Sequence, residues 1–114
     1  MNEDPNLNQI VAHLQSVYAC HSIIFYGSRA RGDATETSDY DILGIRESGV
    51  ITRDAPFWNG NYLDIFIYPE SEILNPCERH LHMTGGLVLY EKNGMASSFL
   101  AQLTAMDLVA PQVR

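Results

Sequence analysis

Three short segments rich in β-branched and aromatic residues constrain the fold of this chain most strongly. They cover residues 22–26 (SIIFY), 39–46 (DYDILGIR) and 62–68 (YLDIFIY). Each has the composition of a β-strand that packs into a core, and Gly27 ends the first one abruptly. The sequence therefore predicts a sheet that contains these three strands.

Helical patterns surround the predicted strands. Apolar residues from Leu7 to Tyr18 recur at helical spacing and predict an amphipathic helix over 6–19, preceded by Pro5. A second helix is expected to open at Ser28, after the Gly27 turn. The remaining predictions are a loop over 47–61 with a turn at Asn59-Gly60, a helix over 71–83 interrupted at Pro76, a strand over 87–90 and a helix over 95–106. The predicted fold class is α/β, a small mixed β-sheet with packed helices.

Length and charge limit the classes of function. The 114 residues, 46% of them hydrophobic, are expected to form one domain over 1–114. Seven Lys and Arg against fourteen Asp and Glu give a formal charge of −7, which repels phosphate backbones and anionic lipid surfaces. Nucleic acid and membrane partners are therefore disfavoured.

The start of the chain indicates a cytoplasmic protein. The first nine residues, MNEDPNLNQ, are acidic and polar where a signal peptide is basic and then apolar, and the apolar stretches are shorter than a membrane span. Cys20 and Cys77 are expected to be free thiols in this setting.

Three aspartates on the predicted strands are the candidate catalytic and metal-ligating residues. Strand alternation puts Asp39 and Asp41 on one face, and Asp64 lies within the apolar run 62–68. An acid within an apolar strand is costly unless a cation pairs with it, and carboxylate oxygens are the ligands that Mg²⁺ prefers. The alternative is that these acids stand at strand ends and face water.

The Gly27-Ser28 turn is the candidate phosphate-binding element. Gly27 permits close approach to the backbone, and Ser28 at a helix start offers a hydroxyl and amide N–H groups to a phosphate. The same pair is equally common in ordinary helix caps. A P-loop is excluded because Asp33 stands where that motif requires lysine. Zinc at His80, His82 and Cys77 is disfavoured because residues i and i+2 diverge on a helix.

Together, these residues resemble a known superfamily. Gly27-Ser28, ten intervening residues, Asp39-x-Asp41 and a later strand with Asp64 are similar to the polymerase-beta-like nucleotidyltransferases, and within them to the minimal nucleotidyltransferase (MNT) domains. This resemblance extends over about residues 23–68 and rests on the segments GSRARGD…SDYDILGI and YLDIFIY.

The resemblance implies a fold, a reaction and residue roles. A nucleoside monophosphate would move from a nucleoside triphosphate such as ATP, with two Mg²⁺ ions. Asp39 and Asp41 would be metal ligands, and Asp64 a third ligand and the base. Arg31, rather than Arg29, matches the family's phosphate-binding position; a structural ion pair is the alternative for Arg31.

The resemblance also suggests a partner. Stand-alone MNT proteins are typically paired with a helical HEPN toxin, which they adenylylate and silence as antitoxins. About 46 residues follow Tyr68, and they are expected to complete the core, so the acceptor would come from a partner protein or a second subunit. Two alternatives are open: a non-catalytic module that neutralises a helical partner by contact, and a small-molecule nucleotidyltransferase of the antibiotic-modifying type.

Overall fold

The fold was examined in a computed structural model, which describes residues 5–34 and 38–109. Residues 1–4, on which part of the expectation about an export signal rests, lie outside the described residues. The elements in chain order are α1 (Pro5–Tyr18), β1 (Ser22–Tyr26), α2 (Ser28–Arg31), β2 (Tyr40–Arg46), β3 (Thr52–Asp54), β4 (Phe57–Trp58), β5 (Asn61–Pro69), α3 (Glu70–Ile73), a 3₁₀ helix (Glu78–Met83), β6 (Leu87–Tyr90) and α4 (Met95–Val109).

The described strands form a mixed sheet in the order β3-β5-β2-β1-β6, with β4 paired to β5 outside this path. The pairing of β2 with β5 is parallel, and the other pairings are antiparallel. The predicted α/β class with a mixed sheet is therefore confirmed. The interruption predicted at Pro76 is also present, because α3 ends at Ile73 and the 3₁₀ helix begins at Glu78.

The prediction of a loop over 47–61 was wrong, because this segment contains β3 and β4. Phe57 pairs with Tyr62 and Trp58 with Asn61, so that Asn59 and Gly60 form a two-residue hairpin turn. Both turn residues have positive φ (51° and 80°), as a type I′ turn requires. The turn was visible in the sequence, but strands of two and three residues are too short to show an alternating pattern.

Helices cover both faces of the sheet. On the first face, α1 packs its buried side chains against strands β1, β2 and β5; the core residues here include Leu7, Ile10, Leu14, Ile23, Phe25, Ile42, Ile65 and Ile67. On the second face, α4 and the 3₁₀ helix cover Ile24, Leu43, Ile45 and Tyr68 with Ala96, Phe99, Leu103 and Met83. Burying these apolar faces supplies the main driving force for the fold.

On the second face, the side chains of β2 and β5 become more exposed toward the N-terminal ends of these strands. Leu43 is buried, but Asp41, two residues earlier, is partly exposed, and Asp39 is exposed. Along β5, Tyr68 is buried, whereas Phe66 and Asp64 are partly exposed. The three candidate aspartates therefore lie at the open end of the face that α4 covers.

Two further expectations can be compared with the described residues. Cys20 and Cys77 are free thiols, as predicted, with Cys20 buried and Cys77 partly exposed. Across residues 5–34 and 38–109, none of the helices has the length and apolar character needed to cross a membrane.

Candidate active site

The parallel pairing of β2 and β5 brings two of the three predicted aspartates side by side. Asp41 and Asp64 are direct partners in the register of these strands. Paired residues of neighbouring strands point to the same face, so both carboxylates lie on the second face. Asp39 precedes β2 by one residue and is close enough for its charge to act on Asp41.

The field around Asp41 is strongly negative. Burial raises the pKa of the Asp41 carboxyl, and the neighbouring charges of Asp64 and Asp39 raise it further. His82 and Arg31 act in the opposite direction and lower it, but the net shift is upward. The ionised form of Asp41 is thus disfavoured by its surroundings, and an added cation would relieve the repulsion between these carboxylates.

Gly27 is required by its contact with Asp41. Its φ of 84° lies in the left-handed region, and a Cβ at this position would stand 2.1 Å from Oδ2 of Asp41. The sequence predicts that a phosphate approaches the backbone at Gly27. In the structure, the Asp41 carboxylate occupies the space where a Cβ of this residue would stand. The next residue, Ser28, is partly buried and begins α2, which is a single helical turn.

The two arginines of α2 point to different surroundings. Arg29 donates from Nε to the carbonyl of Ser38 at 2.8 Å and from Nη2 to Oδ1 of Asn61 at 3.2 Å. Its guanidinium also lies 4.4 Å from the ring centre of Tyr40, on the first face of the sheet. Arg29 therefore joins α2 to the starts of β2 and β5.

Arg31 is exposed, and its Nε is 3.4 Å from Oδ2 of Asp33. Its charge also lowers the pKa of Asp41, so it stands on the side of the aspartates. The two arginines of α2 therefore have different neighbours. A phosphate contact by Arg31 stays a prediction.

Sequence reasoning missed Arg53, which pairs with Asp64. Arg53 Nε donates to Oδ1 of Asp64 at 2.9 Å, and Nη2 donates to Oδ2 at 3.1 Å. The guanidinium carbon also lies 5.3 Å from the ring centre of Phe66, its register partner on β5. Only recognition of β3 as a strand beside β5 would have placed Arg53 here, and the segment Thr52–Asp54 carries no apolar alternation that marks a strand.

His82 is the second residue that the sequence did not assign to this site. It is exposed at the end of the 3₁₀ helix, and its ring centre is 5.6 Å from that of Tyr26 in an edge-on contact. Tyr26 is the register partner of Asp41 on β1. Burial, followed by the charges of Asp41 and Asp64, raises the pKa of the Tyr26 hydroxyl. His82 thus adds a titratable group to the rim of the site.

His80 has a different environment. Its ring is fully buried, with Nδ1 accepting the backbone N–H of Cys77 at 3.1 Å and Nε2 lying 2.9 Å from Oε2 of Glu72. Nε2 therefore joins the 3₁₀ helix to Glu72 of α3, while Nδ1 caps the start of the 3₁₀ helix. This geometry gives His80 a structural role.

The aspartates match a divalent cation in ligand chemistry. All three supply carboxylate oxygens. The raised pKa of Asp41 reflects its burial first and then the charges of Asp64 and Asp39, which a cation would balance. Within the described residues, however, no three His, Cys, Asp or Glu side chains are already gathered as a metal site. Both carboxylate oxygens of Asp64 are instead hydrogen-bonded to Arg53.

Comparison with a solved structure shows a shared fold. The structure described as a nucleotidyltransferase-like protein from Exiguobacterium sibiricum superposes with a TM-score of 0.54 at 20% sequence identity. The match covers 86% of this chain and 38% of that protein, so this chain spans about two fifths of the length of that relative. No curated protein sequence gives a significant match.

The sequence itself identifies the family. The profile of the family described as nucleotidyltransferase domain matches residues 6–82, which include β1, β2, β5 and the three aspartates. This chain belongs to the nucleotidyltransferase domain family. Domains of this family generally use nucleoside triphosphates as substrates together with divalent metals.

Proposed function

We propose that this protein is a Mg²⁺-dependent nucleotidyltransferase that moves AMP from ATP to a hydroxyl of a partner protein. The observation that carries the proposal is the in-register pair Asp41–Asp64 beside the Gly27 turn, in a chain of the nucleotidyltransferase family. Paired acids on one sheet face supply the carboxylate oxygens that the cations of a bound triphosphate require.

The roles of the three acids differ with their positions. Asp39 and Asp41 would hold Mg²⁺, and Asp64 would be a third ligand. When bound, two such ions would balance the charge that develops on the attacking and leaving oxygens. Asp64 would also accept the proton of the acceptor hydroxyl. Its partial exposure at the open end of the face supports this role.

Gly27, Ser28 and Arg31 would bind the nucleotide. Gly27, which has no side chain, leaves room for the Asp41 carboxylate beside the turn, and the Ser28 hydroxyl at the start of α2 would donate to a phosphate oxygen. Arg31 is exposed and its charge already acts on Asp41, so it is suited to meet the triphosphate on the same side.

The acceptor is proposed to be a helical partner of the HEPN type, for which this protein would act as an adenylylating antitoxin. Among the described residues after β5, the 3₁₀ helix and α4 pack Met83, Phe99 and Leu103 into the core of the sheet. They therefore do not build a separate acceptor lobe. A second copy of the chain is the alternative source of an acceptor surface.

Nucleotide binding provides the first test. Calorimetry with ATP and Mg²⁺ should show binding that requires the metal, and Asp39→Asn and Asp41→Asn should abolish it or weaken it strongly while the fold survives. Glu47→Gln is the matched control, because it removes one negative charge from an exposed side chain beyond the far end of β2. Unchanged ATP affinity in both aspartate variants would refute the site.

Transfer provides the second test. The protein is incubated with its partner, Mg²⁺ and ATP, and the intact partner is weighed by mass spectrometry for the added AMP. Asp64→Asn should keep much of the nucleotide affinity and depress the rate of transfer. A non-catalytic binding module would instead neutralise the partner without an adduct, and equally well with all three aspartates replaced by Asn.

Small-molecule acceptors form the third arm of the same experiment. Antibiotics with free hydroxyl groups replace the protein partner, and the products are again weighed for added AMP. An adduct on these compounds, with none on the protein partner, would assign the chain to the antibiotic-modifying type.

A further inference from the structure

The pairing of Arg53 with Asp64 has a geometry that bears on metal binding. Two nearly parallel hydrogen bonds of 2.9 and 3.1 Å engage both oxygens of the Asp64 carboxylate. The Arg53 side chain is 61% exposed, and the Asp64 side chain is 23% exposed. Arg53 stands on β3, a strand of three residues at the edge of the sheet. The two hydrogen bonds therefore have good geometry, and the exposed side chain of Arg53 can rotate into solvent.

This pairing makes the two central acids unequal. Asp41 lies beside the negative charges of Asp64 and Asp39, whereas both carboxylate oxygens of Asp64 are hydrogen-bonded to the guanidinium of Arg53. A divalent cation that uses Asp64 would come within about 5 Å of that guanidinium, and like charges at this distance weaken binding about tenfold even at the dielectric constant of water. Arg53 and a cation therefore compete for Asp64.

A triphosphate would resolve the competition. Its oxygens accept the same planar fork of N–H donors that a carboxylate accepts, and it carries more negative charge. The side chain of Arg53 is exposed, so it can rotate away from Asp64 without opening the core. A nucleotide at the open end of the second face would thus offer Arg53 another partner at the moment when Asp64 is needed as a ligand.

We propose that Arg53 is a positioning residue that couples metal binding to nucleotide binding. Without nucleotide, it holds the Asp64 carboxylate and suppresses metal binding there. With nucleotide, it transfers its hydrogen bonds to the triphosphate and releases Asp64. This inference rests on the proposed function, because it takes Asp64 as a metal ligand.

The test measures Mn²⁺ binding by the loss of the free-ion electron paramagnetic resonance signal, first without nucleotide. Arg53→Gln should bind Mn²⁺ about tenfold more tightly than the wild type, because the competing charge is gone. In an Asp64→Asn background, Arg53→Gln should have no effect, since the acid through which it acts is absent. With a non-hydrolysable ATP analogue present, the advantage of Arg53→Gln over the wild type should disappear.

The control is Arg79→Gln, which makes the same change in net charge. Arg79 is an exposed arginine that also pairs with an acid, Glu72, on the segment that follows β5. Its removal should leave Mn²⁺ affinity unchanged. If Arg53→Gln proves unfolded by circular dichroism, Arg53→Lys decides the question. Lysine cannot hold both carboxylate oxygens, so this variant should bind Mn²⁺ about threefold more tightly.

Different failures are distinguishable. Equal Mn²⁺ affinity in the wild type and Arg53→Gln, with binding that still requires Asp41, would overturn the coupling and leave the proposed function standing. An equal gain in Arg79→Gln would also overturn it, because net charge alone would then explain the result. Absence of Mn²⁺ binding in the wild type, with and without nucleotide, would overturn both the inference and the proposed function.

Discussion

Replacing Asp41 with asparagine should stabilise the metal-free protein, although the aspartate is central to the proposed site. Neighbouring strands lie about 4.8 Å apart, so the paired carboxylates of Asp41 and Asp64 are separated by about 5 Å. At this distance, two unit charges repel by about 1 kcal/mol at the dielectric constant of water and by about 3 kcal/mol at an effective value of 20. Because Arg53 neutralises part of the Asp64 charge, we expect the lower figure.

Asparagine has the same shape as aspartate and keeps the contact with Gly27, so the change removes charge without creating a cavity. A gain of about 1 kcal/mol corresponds to a rise of about 4 °C in the melting temperature of a domain of this size. Thermal unfolding in EDTA at neutral pH measures it, with Glu47→Gln as the control. Addition of Mg²⁺ and an ATP analogue should raise the melting temperature of the wild type and leave Asp41→Asn unchanged.

The stability difference between Asp41→Asn and the wild type should change with pH in a defined direction. Because the pKa of Asp41 is raised in the folded state, its destabilising effect is fully present above that folded pKa. It disappears as the pH falls below the unfolded value of about 3.9, where the carboxyl is protonated in both states. The free energies of unfolding of the wild type and Asp41→Asn should therefore become equal at acidic pH. An Asp41→Asn protein that is no more stable than the wild type at neutral pH would show that the acids do not repel each other.

Two further predictions concern other contacts of the fold. Gly27→Ala should lower the free energy of unfolding by about 1–2 kcal/mol, because Gly27 has a positive φ and a Cβ there would lie 2.1 Å from Asp41 Oδ2. The same displacement of Asp41 should abolish metal-dependent nucleotide binding. Chemical denaturation measures the first effect, and calorimetry measures the second. Burial raises the pKa of Glu72, but hydrogen bonds from Arg79 and His80 outweigh it and lower the net pKa. Glu72→Gln should therefore be less stable than the wild type at neutral pH, with the difference lost as the pH falls through the folded pKa; a difference that persists in acid would contradict this reasoning.

Local patterns in the sequence determined most of the secondary structure. The segments Ser22–Tyr26 and Leu87–Tyr90 were predicted with the bounds that the structure has, because short apolar and aromatic runs next to glycine residues indicate strands locally. The alternation of β2 also placed Asp39 and Asp41 on one face without any tertiary information. The family resemblance rested on these same residues, and the match over residues 6–82 confirms the superfamily.

Only the tertiary structure decided which acidic side chains lie next to each other and which other side chains contact them. The direct pairing of Asp41 with Asp64 depends on the register between β2 and β5, which is set by packing of the whole sheet between α1 and α4. Arg53 reaches Asp64 because a strand of three residues adds to the edge of β5, and so short a strand carries no periodic signal in the sequence. Periodicity fixes the face on which a side chain lies, whereas its neighbours across a sheet depend on contacts between segments that are distant along the chain.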